Sequence, residues 1–253
     1  MRCTTRALPT LIMVTLVTSA SAFANEHPHW SYSGATGPEH WGTLEEDYGA
    51  CAEGKTQSPI DIHDDVAAKA VLPAIHFDYR RSTLRIIDNG HSIQINYEPG
   101  SFIDVGDQRY ELVQFHFHRP SEEQINDKNY DMVAHLVHKN SDGKLAVIAV
   151  LLTKGAANPL IKTLWGHLPH EKNKEVVVKT LKINAAALLP TDRNYYTFAG
   201  SLTTPPCSEG VTWLVLRTPA PISAAQIKRF AAAYPMNARP VQPVNGREIQ
   251  ESQ

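Results

Sequence analysis

The 253-residue chain lacks the marks of several protein classes. No run of five basic residues occurs, and 24 Lys and Arg are set against 26 Asp and Glu. The electrostatic footprint of a nucleic-acid or anionic-membrane binder is therefore missing. No uninterrupted apolar stretch approaches the ~20 residues that a membrane-spanning helix needs. Fourteen glycines and 17 prolines are too scattered for a collagen-like or low-complexity chain. No internal repeat or linker divides the sequence, and no H-E-x-x-H is present to suggest a zinc protease. Cysteine is scarce, at three. What is left is an ordinary globular composition, 42% hydrophobic and 20% charged, at a length that β-rich single domains reach (roughly 200–250 residues).

The first 24 residues read as a secretory signal peptide. Met1-Arg2-Cys3-Thr4-Thr5-Arg6 is a short positive region, an apolar stretch covers 7–17 with Pro9 inside it, and Ala22-Phe23-Ala24 ends an A-x-A cleavage pattern. Cleavage after Ala24 leaves residues 25–253, bound for the periplasm or the exterior. Cys3 goes with the leader, so Cys51 and Cys207 remain. In an oxidising compartment an isolated pair reads as a disulfide, two buried free thiols being the alternative.

Past residue 60, short strand-like pieces follow one another over 74–79, 83–88, 91–97, 102–105 and 109–118, then 131–138 and 144–152. Asp88-Asn89-Gly90 and Lys139-Asn140-Ser141-Asp142-Gly143 are hairpin turn signals. Helical patterns are short, over 159–168, 184–189 and 223–234, the last opened by Ser223 as N-cap. Residues 25–49 show no sustained period and read as an irregular segment packed down by Trp30 and Trp41. The predicted class is α+β, mostly β: a single domain on a large, twisted, mostly antiparallel sheet with short peripheral helices.

Twelve histidines is a high count. In Gln114-Phe115-His116-Phe117-His118, strand alternation puts Gln114, His116 and His118 on one face and both phenylalanines in the core. By the same alternation Val133, His135 and Val137 share a face, with Ala134, Leu136 and His138 opposite. If the two strands pair, His135 completes a three-histidine site. Three neutral imidazoles keep the full charge of a zinc ion and leave a fourth position open, the pattern of a catalytic site.

These residues carry a family resemblance. Gly37-Pro38-Glu39-His40-Trp41, Gln57-Ser58-Pro59-Ile60-Asp61-Ile62, Asn89-Gly90-His91, the 114–118 stretch, Ser121-Glu122, His135-Leu136-Val137-His138 and Ser201-Leu202-Thr203-Thr204-Pro205-Pro206-Cys207 stand in the order seen in α-class carbonic anhydrases. The spacing of Cys51 and Cys207 resembles the secreted bacterial members. The resemblance implies a zinc lyase that reversibly hydrates carbon dioxide to bicarbonate and a proton through a zinc-bound hydroxide. The carbonic anhydrases are themselves the reference case for water acidified on zinc to a pKa of ≈7.

By the same resemblance, His116, His118 and His135 are the Zn2+ ligands. Thr203 accepts a hydrogen bond from the nucleophile and passes its own to Glu122. Val137, Val147, Leu202 and Trp213, with Thr204 nearby, form the wall that receives the apolar substrate. His91 exports the proton, with Tyr32 and Asn89 ordering water on the way. One position departs from the pattern. The family carries a glutamate two residues before the third histidine, bonded to its outward ring nitrogen, and here that residue is Val133. Loss of such a partner typically costs about 10–100-fold in metal affinity or activity. Asp131, two strand residues or ~6.6 Å further along, is out of place to substitute. The sequence therefore predicts a weakened centre unless a backbone carbonyl or a water takes the role. The alternative is a catalytically weakened or silent binding module, which would be expected to lack a zinc histidine. The small-molecule substrate is the one partner implied, with a homodimer left open.

Overall fold

The computed structural model describes Met1 and residues 29–253. The proposed leader, apart from Met1, lies outside the described residues. Strands Ser82–Asp88 (β1), Ile93–Asn96 (β2), Gln108–His118 (β3), Met132–Lys139 (β4), Leu145–Lys154 (β5), Val176–Ile183 (β6), Tyr195–Ser201 (β7), Glu209–Ile222 (β8) and Gln250–Ser252 (β9) form most of a 12-stranded sheet. Its order is β6-β1-β2-β3-β4-β5-β8-β7-β9, ending on the short strand Ala68–Ala70. Pairing is antiparallel except where β5 meets β8 and β9 meets the Ala68–Ala70 strand. The predicted architecture is the one observed.

The two faces of the sheet follow from alternation. Phe115 and Phe117 on β3, Met132, Ala134 and Leu136 on β4, and Ile148, Val150 and Leu152 on β5 all point into the larger apolar cluster. The short helices Pro159–Trp165 and Ala224–Ala231 cover it, through Leu160, Ile161, Leu164 and Phe230. Ser223 caps the second helix with a reciprocal Ser–Gln226 box, and Asn158 caps the first through its side chain. The pattern over 184–189 folds as a single 3-10 turn, Ala185–Leu188. His138 lies on this face, where the Tyr79 hydroxyl meets its Nε2 at 2.8 Å. The opposite face carries Val133, Val147, Ala149, Leu151, Phe198, Trp213 and Val215, packed on Ile60 and Ile62. His116 and His135 belong to this second face.

Turn chemistry sets the loops that border it. Between β1 and β2 the connection is four residues long, because Asp88 already pairs with Ile93. Asn89 Oδ1 accepts from the backbone N–H of His91 (3.0 Å) and Ser92 (2.8 Å), and Gly90 supplies φ +86°. The 139–143 turn uses the same device: Asn140 Oδ1 accepts from Asp142 and Lys144.

The N-terminal segment is more ordered than its sequence suggests. It forms short helices Trp41–Leu44 and Ala50–Glu53, with Trp41 fully buried beside the bonded Cys51 and Cys207. The bridge spans 156 residues of sequence. Cys207 sits at φ +57°, a left-handed conformation that costs a non-glycine residue ~1–3 kcal/mol and so needs fixing by its surroundings. Its N–H donates to Thr204 O (2.9 Å) and its carbonyl accepts from Gln57 Nε2 (3.1 Å). Replacing Cys51 by Ala should lower the melting midpoint, by an amount in keeping with the ~2–4 kcal/mol of a long closed loop. It should also free the 202–207 loop to exchange its amide protons faster. Thiol titration of the unreduced, denatured 25–253 chain checks the bond itself: no thiols are expected, and two would remove it.

Candidate metal centre

Cross-strand register brings the histidines together. On β4, His135 stands directly opposite His116 on β3, and Val133 opposite His118. A shift of one residue would send His135 to the opposite core. The three rings lie with centroids 4.8 to 5.5 Å apart, and each offers a ligand atom within 4.8 Å of the others. His118 and His135 are almost fully buried, while His116 keeps part of its surface open.

Each ring is oriented from behind. His116 Nδ1 donates to Gln114 Oε1 (2.8 Å), His118 Nδ1 to the Asn237 carbonyl (2.7 Å), and His135 Nε2 to Glu123 Oε1 (2.8 Å). With one nitrogen of each ring donating outward, Nε2 of His116, Nε2 of His118 and Nδ1 of His135 are left as acceptors facing the common point. Among the described residues His118 Nε2 is buried there without a partner. Three convergent neutral imidazoles with an orphaned buried nitrogen are a donor set that zinc accepts, so the residues fit the ion. Electrostatics in the metal-free site agrees for two rings. Burial, then the neighbouring His135, pushes His116 down to about 3, and burial drives His118 well below the usual imidazole range. His135 goes the other way: burial opposes its charge, but the Glu123 carboxylate and its hydrogen bond, with Glu122, outweigh that and raise it.

Behind the histidines lies a second buried carboxylate. Glu122 Oε1 accepts from the Arg239 backbone N–H (2.8 Å), and Oε2 has no partner within hydrogen-bond geometry. Burial raises Glu122 to about 7 in the metal-free site, against the His135 charge and a weaker pull from the Thr203 hydroxyl. Arg239 is 2% exposed, and its guanidinium ties the surrounding loops together. It donates to Gln57 Oε1 (2.9 Å), Ser58 O (2.8 Å) and Cys51 O (2.9 Å), and lies 5.6 Å from the centre of the Trp41 ring.

Next to His116 and His135 the sheet carries an apolar row. Val137 pairs with Val147, and Val147 with Trp213. The Trp213 ring lies edge-on to His135 at 4.9 Å, and its Nε1 donates to Ser201 O (3.0 Å), the residue before Leu202. Thr203 is buried, while Leu202 and Thr204 remain partly open. His91 stacks flat on Trp30 at 3.5 Å and shares a 2.7 Å contact between its Nε2 and that of His29. Burial, then the His29 charge, pushes His91 down to about 4. Asn89 is committed to the turn and to Gln94, and the Tyr32 hydroxyl is buried without a partner.

The vacancy predicted behind His135 does not exist. Val133 is fully buried in the apolar cluster of the site face, yet the outward nitrogen of His135 is satisfied by Glu123. Asp131 takes no part, because its carboxylate accepts from Lys154 N. Glu123, Arg239 and the Asn237 carbonyl are the contributors that the sequence reading missed. Glu123 directly follows the Ser121-Glu122 motif, but only the loop geometry turns it toward His135.

A model of the eukaryotic-type carbonic anhydrase family matches residues 36–253. Carbonic anhydrase of Pectobacterium carotovorum is 45% identical over 230 residues, covering 90% of this chain and 93% of that one. Carbonic anhydrase of Neisseria gonorrhoeae is 44% identical over 252 residues, covering 97% and 98%. Among solved structures, the α-carbonic anhydrase of Thermovibrio ammonificans in complex with sulfanilamide superposes with a TM-score of 0.85 at 41% identity, covering 88% of this chain and 98% of that one. Sheet, histidine triad and coverage agree, and the chain belongs to the α-class, eukaryotic-type carbonic anhydrase family.

Proposed function

We propose that the chain hydrates carbon dioxide reversibly to bicarbonate and a proton at a zinc ion held by His116 Nε2, His118 Nε2 and His135 Nδ1. The observation that carries this is the convergence of three outward-bonded histidines on one point beside an apolar row. Zinc, when bound, supplies a Lewis acid that brings the acidity of water near neutrality, a property for which this family is the reference case.

The protein's own groups do the rest. Glu122 Oε2, buried and with its acceptor capacity open among the described residues, is the atom placed to receive the Thr203 hydroxyl in this role. Thr203, having donated its proton there, can only accept toward the cavity, so it selects and orients a group that carries a hydrogen. The Arg239 N–H on Oε1 and the loop contacts of the Arg239 guanidinium fix that relay. Val137, Val147, Leu202 and Trp213 offer an uncharged linear molecule a surface without hydrogen-bonding groups, and Thr204 borders its mouth. The Trp213 N–H is already spent on Ser201 O.

The proton leaves through His91. Against Trp30 and His29 the ring accepts a proton poorly at pH 7, since a group with a pKa of about 4 is then almost wholly neutral. Uptake therefore needs the ring to swing off Trp30 toward water, where its ordinary value near 6.5 returns. Export of the chain from the cytoplasm through residues 1–24 completes the reading. The Cys51–Cys207 bond supports it, because such bonds persist in oxidising compartments.

Replacing His116, His118 or His135 with Ala should abolish stoichiometric zinc and carbon dioxide hydration together. Metal analysis and a stopped-flow hydration assay, each with and without a chelator, check it. Full zinc with near-normal turnover in any of the three would sink the ligand set, and a zinc-loaded wild type without hydration would leave the silent binding module.

Replacing His91 with Ala should lower kcat in dilute buffer by about 10-fold, less than the ~10²–10⁴-fold usual for a general acid–base group because water and residual buffer still carry part of the proton flux. kcat/KM should stay nearly constant, and added imidazole should restore kcat. Unchanged kcat in dilute buffer would remove His91 from the path.

A further inference from the structure

We infer that Glu123 is the positioning residue for His135, and that it has taken this task over from the strand position that Val133 occupies. The inference rests on the reading of His135 as a zinc ligand. The Glu123 side chain is fully buried, and its Oε1 lies 2.8 Å from His135 Nε2, the one polar contact of that nitrogen among the described residues. A carboxylate can only accept here, so the ring must carry its proton on Nε2 and present Nδ1 to the metal. Glu123 comes from the loop after β3, and that loop is rigidly tied. Ser121 Oγ donates to Glu123 O (2.7 Å) and accepts from Tyr130 N (2.8 Å), and Ser121 N donates to Tyr130 O (3.0 Å). Arg119 N donates to Asn237 Oδ1 (2.8 Å), the residue whose carbonyl holds His118.

Val133 makes the arrangement self-consistent. It stands on the face of His135, opposite His118, and packs among Ile60, Ile62 and Leu151. Glu122 and Glu123 already lie buried beside this imidazole, so a glutamate at 133 as well would add a third buried carboxylate, at a cost that apolar packing there avoids. The site thus holds one acceptor for Nε2, delivered by the loop where the family pattern delivers it from the strand. His118 and His135 are then both oriented by the segments 119–123 and 237–239, and the stiffness of these loops sets how long zinc stays.

The test uses full-length mature protein loaded with zinc, and reads the rate of zinc loss to a chelator at pH 7.5. Melting curves of the metal-free variants serve as the control for folding. E123V should release zinc ~10–100-fold faster, the range found when such partners are removed, and the near-isosteric E123Q should accelerate release as well. V133E alone should release zinc no more slowly than wild type. The exchange E123V/V133E should recover a large part of the loss, because it restores one acceptor within reach of Nε2. Release from E123Q and E123V within twofold of wild type would overturn the inference, as would slower release from V133E. An exchange variant no slower than E123V would likewise overturn it, by assigning the E123V defect to the loop. A wild type that binds no stoichiometric zinc would instead remove the ligand reading on which the inference rests.

Discussion

The pairing of His135 with His116 across β3 and β4 is the constraint from which the rest of the site follows. Strand alternation has a period of two, so register alone decides whether this imidazole joins the other two or enters the far core with His138. What pins the register is the far core itself. Phe115, Phe117, Met132, Ala134 and Leu136 are all fully buried there, and a one-residue slip would turn them onto the site face while driving the histidines into the larger apolar cluster. A large apolar surface thereby holds three imidazoles in a geometry that those imidazoles, mutually repulsive when charged, would not adopt unaided. The same rows place Val137, Val147 and Trp213 beside them.

Loops complete what the sheet begins. The ring orientations of His118 and His135 depend on the Asn237 carbonyl and on Glu123, and Glu122 depends on the Arg239 N–H. Arg239 then joins Gln57, Ser58 and Cys51, and Cys51 is bonded to Cys207, four residues beyond Thr203. Buried polar groups of this kind cost stability when any partner is lost. The metal end of the cavity and the disulfide are therefore parts of one hydrogen-bonded unit.

The sheet-building half of this was legible in the sequence. Alternation in 114–118 and 131–138 announces two strands and their faces, and the turn residues between 139 and 143 announce the hairpin from 131–138 into 144–152, while the pairing of 114–118 with 131–138 stayed a condition that only the folded sheet meets. Other elements were hidden for physical reasons. β8 carries Pro219 and Pro221 near its end, which disguises a strand. β6 lies at the sheet edge, where exposed positions remove the apolar alternation. The helices at 41–53 are four residues each, too short for a period. Glu123 stayed hidden because its role comes from a loop path and from the absence of an acid at 133. Taken alone, Val133 suggested a weakened centre, whereas the folded chain supplies the acceptor from elsewhere.

The outward hydrogen bonds set the three tautomers before any metal arrives. Long-range 15N–1H correlation spectra of the metal-free protein near pH 8 test it most directly. His116 and His118 should be protonated on Nδ1 and His135 on Nε2, each as a single form. A reversed assignment, or a mixture of both tautomers at His118 or His135, would contradict it.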